Sequence, residues 1–449
     1  MEKIRVIHTS RDTTDRLKEK KSILFSKEKS SNSILKINKA RNYQKIVGFG
    51  GAFTEAAAYT FYRMDKEKQE EIVRSYFDPV YGLGYSLGRV HIHSCDFALG
   101  NYTYVEENDK ELTTFDISRE RKWVLPFIDF ARKARKQDLL LLASPWSPPG
   151  WMKSNGEMNN GGKLLPEYYQ VWSNYYVKYI QAMKQEGFDI WAITVQNEPA
   201  AVQVWDSCIY SAEEERDFLK NHLGPTLENA GLANIKIYIW DHNRDILFER
   251  ADTVLSDVEA AKYVYGVGNH WYVSEEFESL SKLHHKYPDK HILFTEGCQE
   301  GGVHLGSWDT GERYARNMIG DFANWQEGWI DWNLILDETG GPNHVGNLCD
   351  APIIADTKTQ QLHYNSSYYY IGHFSKYIKP GAVRIESTLE GNSNIKQVAF
   401  LNEDNSITLV AMNESENSEV FNIEHEGQYA EYELKPHSIA TFIIADIEG

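Results

Sequence analysis

Two glutamates stand where buried chain opens onto a loop, and both are placed to act as acid, base or nucleophile. The stretch Trp191 to Pro199, WAITVQNEP, is an apolar run that stops at an amide, a carboxylate and a helix-breaking proline, so Glu198 sits at a strand end. Glu296 closes a similar run, His291 to Glu296, HILFTE. They are 296 − 198 = 98 residues apart, room for about three strand–helix units of roughly 30 residues each. If both strands belong to one parallel barrel, the two carboxylates face one cavity at its carboxyl end.

The elements that must position them recur along the chain. Eight apolar runs are each followed by a helical pattern: Lys45 to Thr54, Gly84 to His93, Asp138 to Pro145, Trp191 to Asn197, Ile235 to Asp241, Val264 to Tyr272, His291 to Glu296 and Gly328 to Asn333. Amphipathic segments of helix length lie between them, such as Leu165 to Lys184 and Ala212 to Leu227. Eight strands alternating with helices predict an α/β fold, a (β/α)₈ TIM barrel over residues 46–380. No GxGxxG opens a helix after the first strand, as a dinucleotide-binding open sheet requires. Residues 381–449 instead show short strands at roughly ten-residue spacing, among them Ser406 to Asn413 and Ser438 to Ile444. These predict a side antiparallel β-sandwich, and strand-like pieces within residues 1–45 are expected to complete it, so that both termini build the second domain.

The chain has 449 residues, 42% hydrophobic, with 12 Trp, 27 Tyr and a formal net charge of −18. That charge argues against nucleic acid and anionic membranes as partners and leaves a neutral or cationic small molecule. The amino terminus is charged throughout and no run reaches membrane-span length, which predicts no stable membrane insertion and a cytoplasmic protein. Cys95, Cys208, Cys298 and Cys349 are scattered without CxxC spacing and read as small buried hydrophobes.

Most predicted barrel strands end in polar or aromatic residues, as strands lining a site do. Arg89 lies in the second, with Asp96 just beyond it; Trp146 follows the third, Asn197 and Glu198 the fourth, and Asp241 and His242 the fifth. His270 and Tyr272 end the sixth, Glu296 the seventh, and Trp332 the eighth. Two carboxylates surrounded by an amide, an arginine, a tyrosine and indoles are the equipment of a retaining glycosidase, in which one carboxylic acid protonates the leaving oxygen and the other attacks the anomeric carbon. Aromatic faces beside carboxylates suit sugar rings. A different class is also open: His91 and His93, with Asp96, Asp241, His242 and His270, could ligate a metal in an amidohydrolase-type barrel. Trp151, Trp205, Trp308 and Trp329 are expected to be core or loop anchors.

Motifs along nearly the whole chain resemble glycoside hydrolase family 30, which includes the glucosylceramidases. They include Gly48 to Ala57 (GFGGAFTEAA), Ser94 to Phe97 (SCDF), Ala143 to Gly156 (ASPWSPPGWMKSNG), Asn197-Glu198-Pro199, His270-Trp271-Tyr272, Leu305 to Asp309 (LGSWD), Gly340 to Asn343 (GGPN) and Asp350 to Ile353 (DAPI). The resemblance implies Glu198 as acid/base and Glu296 as nucleophile, with no cofactor and no metal. It further implies Asn197 on the sugar 2-hydroxyl, Arg89 and Tyr272 orienting the nucleophile, Asp96, Trp146 and Trp332 gripping the far hydroxyls of the terminal sugar, and Asn347 as a pocket-edge amide; His270 is taken with this substrate-binding set. Donors from Arg89 and Tyr272 are expected to keep Glu296 ionised, leaving Glu198 to start protonated. The chain departs from the glucosylceramidases around the aglycone, with Thr295 before the nucleophile, His344 after Asn343 where they carry Trp, and a shorter loop after Pro199. The implied substrate is a small-molecule or oligosaccharide β-glycoside with terminal glucose. Endo-β-1,6-glucanase, β-xylosidase and β-fucosidase activities are alternatives on the same scaffold.

Overall fold

The computed structural model describes residues 3–30 and 33–445. Eight parallel strands close into a barrel in chain order: Gly48–Ala52, Leu87–Ile92, Leu140–Pro145, Ile190–Thr194, Lys236–Asn243, Gly266–His270, His291–Glu296 and Gly328–Asn333. All eight coincide with the apolar runs above. Leu87, Leu142, Ala192, Tyr238, Leu293 and Ile330 form one buried cluster drawn from six of these strands, a packed plug rather than a pore. The first strand is GFGGA because it lies very close to its neighbour. A Cβ at Gly50 would come 2.1 Å from the Leu87 carbonyl oxygen, a distance no side chain tolerates.

Helices cover the outside of the barrel and bury their apolar faces in one large core. Tyr169–Gln185 turns Trp172, Tyr175, Tyr176 and Tyr179 inward. The helix expected over Ala212 to Leu227 is interrupted: Ala212–Phe218 and Gly224–Asn229 flank a π-helical turn, Leu219–Leu223. Pro225, the second residue past that turn, has no N–H to donate, which is consistent with the break there.

The remaining strands form a nine-stranded sheet. Its order is Gln428–Leu434, Glu419–His425, Ile34–Lys45, Val383–Glu390, Lys396–Leu401, Ile407–Asn413, Ser438–Ile444, Lys3–Ser10 and Lys18–Leu24. Every neighbouring pair is antiparallel except Glu419–His425 with Ile34–Lys45. The sheet folds back on itself. Ser26, just past one edge strand, exchanges backbone hydrogen bonds with Tyr429 at the other edge, both 2.8 Å, and the enclosed face buries Ile4, Val6, Leu35, Ile385, Leu409, Phe421 and Phe442. One curled sheet thereby becomes a sandwich, to which the N-terminal strands contribute as expected. The expectations on residues 1, 2, 31, 32 and 446–449 lie outside the described residues.

Three further strands, Ile335–Asp337, Ile353–Asp356 and Gln361–Tyr364, form a small sheet after the barrel closes. The sandwich packs on helices Asp309–Ala323 and Ser366–Ser375 of the barrel. The contact includes the buried imidazole of His373, shared between Thr9 and Thr441 hydroxyls at 2.8 and 2.9 Å. Among the described residues no helix is long and apolar enough to cross a membrane.

Candidate active site

The carboxyl ends of the barrel strands surround a cavity of about 290 Å³. Asp96, Trp146, Asn197, Glu198, Tyr272, Glu296, Trp332 and Asn347 all line it. Glu198 and Glu296 approach each other closely: together with His270, each offers an atom within 4.8 Å of the others.

Backbone geometry aims Glu198. Its φ is +47°, a left-handed conformation that costs a non-glycine residue of order 1–3 kcal/mol. Two backbone bonds hold it there, Glu198 N to Asp241 O at 3.0 Å and Asn197 N to Pro145 O at 2.9 Å. The adjoining fifth strand is distorted as well, with Trp240 and Asp241 at φ +70° and +52°.

Arg89 is the hub beneath the cavity. It is fully buried, and its guanidinium donates to Glu296 Oε2 (2.5 Å), Asn197 Oδ1 (2.9 Å), Asp241 Oδ2 (2.8 Å) and Ser144 Oγ (3.1 Å). Trp146 and Trp332 stack with ring centroids 5.2 Å apart, and the Arg89 guanidinium lies 4.7 and 5.6 Å from them. The Tyr272 hydroxyl donates to the other Glu296 oxygen at 2.9 Å. Tyr272 is steadied in turn by its backbone N–H bond to Asn243 Oδ1, 2.8 Å.

His270 spans two carboxylates. Nε2 lies 2.9 Å from Asp241 Oδ1 and Nδ1 3.2 Å from Glu198 Oε1, and Thr295 Oγ1 also donates to Asp241 at 2.6 Å. Burial works against a charged imidazole, but Glu296, Asp241 and Glu198 more than offset it, so His270 is pushed up to about 9. Burial likewise raises the Glu198 carboxyl, and His242 (3.8 Å away) and His270 outweigh that, holding it below the usual carboxylate range. Burial raises the Glu296 carboxyl, with His270 and Arg89 opposing. The two imidazole neighbours therefore oppose the expectation that Glu198 starts protonated, and the surrounding charges favour His270, one hydrogen bond from Glu198, as the group that holds the proton.

In the cavity wall Asp96 accepts from Asn343 and Asn347 side chains, both at 3.1 Å. Burial raises its carboxyl to about 7 against those donors. The loop bearing both asparagines is tied down through His344, whose Nε2 lies 3.3 Å from buried Asp206.

Arg89 and His270 are fully buried behind the cavity wall; Arg89 touches Glu296, as expected of a residue that orients it, while His270, taken with the substrate-binding set, touches Glu198 and Asp241 instead. The metal constellation around His91 and His93 is also corrected. His91 Nε2 accepts from Glu55 N–H at 2.9 Å and its Nδ1 bonds the His93 carbonyl, while His93 bonds the Tyr175 hydroxyl and the Ser147 carbonyl. All four ring nitrogens are engaged. His93 moreover lies past the end of the second strand with φ +49°, so the alternation that would align it with His91 is broken. Trp205, expected as an anchor, lines the cavity beside Gln203, His242, Asn243, Val273 and Glu300. Cys298 and Cys349 are buried, as expected, but they also form part of the cavity wall.

Known proteins fit this arrangement. The glycosyl hydrolase family 30 TIM-barrel profile matches residues 46–378, and the family 30 beta sandwich profile matches residues 381–442. The mouse lysosomal acid glucosylceramidase is 36% identical over 400 residues, 85% of this chain and 77% of its own. SrfJ from Salmonella typhimurium superposes with a TM-score of 0.95 at 36% identity, over 99% of this chain and 100% of that one. An endo-β1,6-glucanase superposes with a TM-score of 0.88 at 31% identity, covering 99% of both chains.

Proposed function

The chain belongs to glycoside hydrolase family 30 and is a glycosidase; from that premise we propose that it is a retaining, exo-acting β-glucosidase of the glucosylceramidase type, with residues 46–380 as its catalytic barrel. The observation that carries the retaining mechanism is that an oxygen of Glu198 and an oxygen of Glu296 lie within 4.8 Å of each other; the glucosylceramidase relatives support the choice of substrate. Retaining enzymes hold their carboxyls about 5–5.5 Å apart, and inverting enzymes about 6.5–9.5 Å to admit a water.

Glu296 attacks the anomeric carbon. Arg89 and Tyr272 each occupy one of its oxygens, which fixes the carboxylate plane and favours its ionised form. Glu198 delivers a proton to the leaving oxygen, replenished from His270 Nδ1 across 3.2 Å, while Asp241 and Thr295 keep the imidazole oriented. In the second step Glu198 takes a proton from water, which opens the glycosyl–enzyme ester and returns the proton to the Glu198–His270 pair. Asn197, held by Arg89 through its carbonyl oxygen, presents its amide N–H to the sugar 2-hydroxyl. Asp96 and the Trp146–Trp332 stack bind the remaining hydroxyls and one ring face, with Asn343 and Asn347 holding Asp96 in place.

A second reading, cleavage of β-1,6-glucan, is supported by the likeness to the endo-β1,6-glucanase. Initial rates on p-nitrophenyl β-glucoside, β-xyloside and β-fucoside, beside gentio-oligosaccharides, separate the two. Hydrolysis of the aryl β-glucoside with release of single glucose units is expected. Internal cleavage of gentio-oligosaccharides without aryl glucoside turnover would replace the exo reading.

A further inference from the structure

Two thiols in the cavity wall have no part in this chemistry. Cys298 stands two residues past Glu296, and Cys349 two residues past Asn347. Both line the cavity with only 3% of their surface exposed, neither is in a disulfide, and the two belong to one buried cluster. The cluster is otherwise apolar, with Trp332, Leu336 and Ile354 among its members, and each thiol has one polar neighbour: the Tyr272 hydroxyl is 3.6 Å from Cys298 Sγ, and the Asn347 carbonyl oxygen 3.9 Å from Cys349 Sγ.

The backbone register limits what the pair can form. Glu300 faces Cys349 in an antiparallel bridge, and Asp350 N–H bonds Gln299 O at 2.8 Å. Cys298 is therefore diagonal to Cys349 on the same face. Diagonal neighbours have Cα atoms about 7–8 Å apart, beyond the roughly 4.4–6.8 Å that a disulfide accepts. An S–S bond of about 2.05 Å would require the backbones to move together. An ion with metal–sulfur bonds of about 2.3 Å spans sulfurs twice that far apart without such movement.

We infer that Cys298 and Cys349 form a two-sulfur site in the cavity wall for a soft, thiophilic cation of the Hg²⁺, Ag⁺ or Cu⁺ class, whose occupancy closes the sugar pocket. Each sulfur forms one bond to the ion and each thiol proton leaves to solvent, with no change of oxidation state. Soft thiol ligands select such ions over Mg²⁺ or Ca²⁺. The bound ion lies between the Tyr272 support of Glu296 and the segment whose Asn347 holds Asp96, and it takes up space that the sugar needs. Only this inhibitory consequence rests on the glycosidase mechanism proposed above; ion uptake does not.

The test is native mass spectrometry of the full chain with one equivalent of HgCl₂, on wild type, Cys298→Ser, Cys349→Ser and a Cys95→Ser/Cys208→Ser control that alters the two buried thiols outside the cavity lining. Wild type and control are expected to bind one Hg²⁺ with loss of two protons. Each single variant is expected to bind at least about 100-fold more weakly, because one of two linked donors is gone. Alkylation mapping of the wild type covers the case in which a variant fails to fold: Hg²⁺ should protect Cys298 and Cys349 together from a small alkylating reagent. Binding of a glucose-mimicking iminosugar, read calorimetrically, should be lost in the Hg²⁺-loaded wild type. Uptake unchanged in either single variant, uptake lost in the control, or protection of Cys95 or Cys208 in place of the pair overturns the site. Iminosugar binding that survives loading overturns the closure. None of these readouts needs turnover, so a failed glycosidase assay leaves the inference standing.

Discussion

His270→Gln separates proton storage from hydrogen bonding. Glutamine can still donate to Asp241 or Glu198, but it does not titrate. In the wild type the rise of His270 from 6.5 to about 9 corresponds to about 3 kcal/mol, a roughly 300-fold bias toward the imidazolium. The Glu198–His270 pair as a unit then owns the alkaline limb of kcat/KM, and near about pH 8 it still holds its proton in roughly nine molecules of ten. Without the imidazole the limb falls to Glu198 alone. A carboxyl holds its proton far less well than an imidazolium raised to about 9, so kcat/KM on a glucoside with a poor leaving group falls about tenfold or more near about pH 8. The loss shrinks as pH falls toward the carboxylate range, and an activated aryl glucoside, which needs little acid assistance, is spared in the glycosylation step. The assay is the pH dependence of kcat/KM for an alkyl and an aryl β-glucoside, wild type against variant. An alkaline limb that stays in place, or an equal loss at every pH on both substrates, would refute the proton store.

Other expectations follow from the same geometry. Arg89→Met strands buried Asp241 and Glu296, and should cost about 3–5 kcal/mol in denaturant unfolding besides abolishing most turnover. A loss below about 1 kcal/mol would show that the ion cluster contributes little to folding. Asp96→Asn should raise KM for a β-glucoside about 10- to 100-fold, the worth of one hydrogen bond to a charged group, with a smaller effect on kcat; an unchanged KM would remove Asp96 from the sugar grip. His344 and Asp206 should show their pairing in stability. Burial disfavours the charged imidazole, but Asp206 offsets this and leaves His344 raised above 6.5. Burial likewise raises Asp206 against donors from His344 and Ser94, which leave it lowered below 3.8. The His344 share is complete below the ordinary imidazole range and is lost as pH rises through its higher folded value; the Asp206 share is present above the ordinary carboxylate range and is lost as pH falls through its lower one. Asp206→Asn should therefore cost about 1 kcal/mol between those limits and progressively less above them. A flat difference in Tm across about pH 5 to 8 would contradict the pairing.

Much of this architecture is legible in the chain because each barrel strand is apolar, short and closed by a polar or breaking residue. WAITVQNEP and HILFTE place Glu198 and Glu296 at strand ends from the residue pattern alone. What stays hidden is connectivity. Asp241 and His270 stand among the polar strand ends, yet nothing in their spacing says that one imidazole bridges Asp241 and Glu198, because that depends on left-handed turns at Glu198 and Asp241. The same kind of turn at His93 defeats the alternation on which the metal reading of His91 and His93 relied. Gln203 and Trp205 lie in a loop, where no periodicity marks the face that meets the cavity. In the sandwich, Lys18–Leu24 reads as solvent-facing KEKKSIL because it is an edge strand with one side in water. A protected edge of this kind needs charge rather than an apolar alternation.

In the proposed mechanism Glu296 forms a covalent glycosyl intermediate, with retention at the anomeric carbon. Incubation with 2-deoxy-2-fluoro-β-glucosyl fluoride, followed by intact-mass measurement and peptide mapping, tests it most directly. One fluoroglucosyl group on the peptide carrying Glu296, with β-glucose as the first-formed anomer from normal substrate, is the predicted result. An adduct on Glu198, or α-glucose released first, would contradict it.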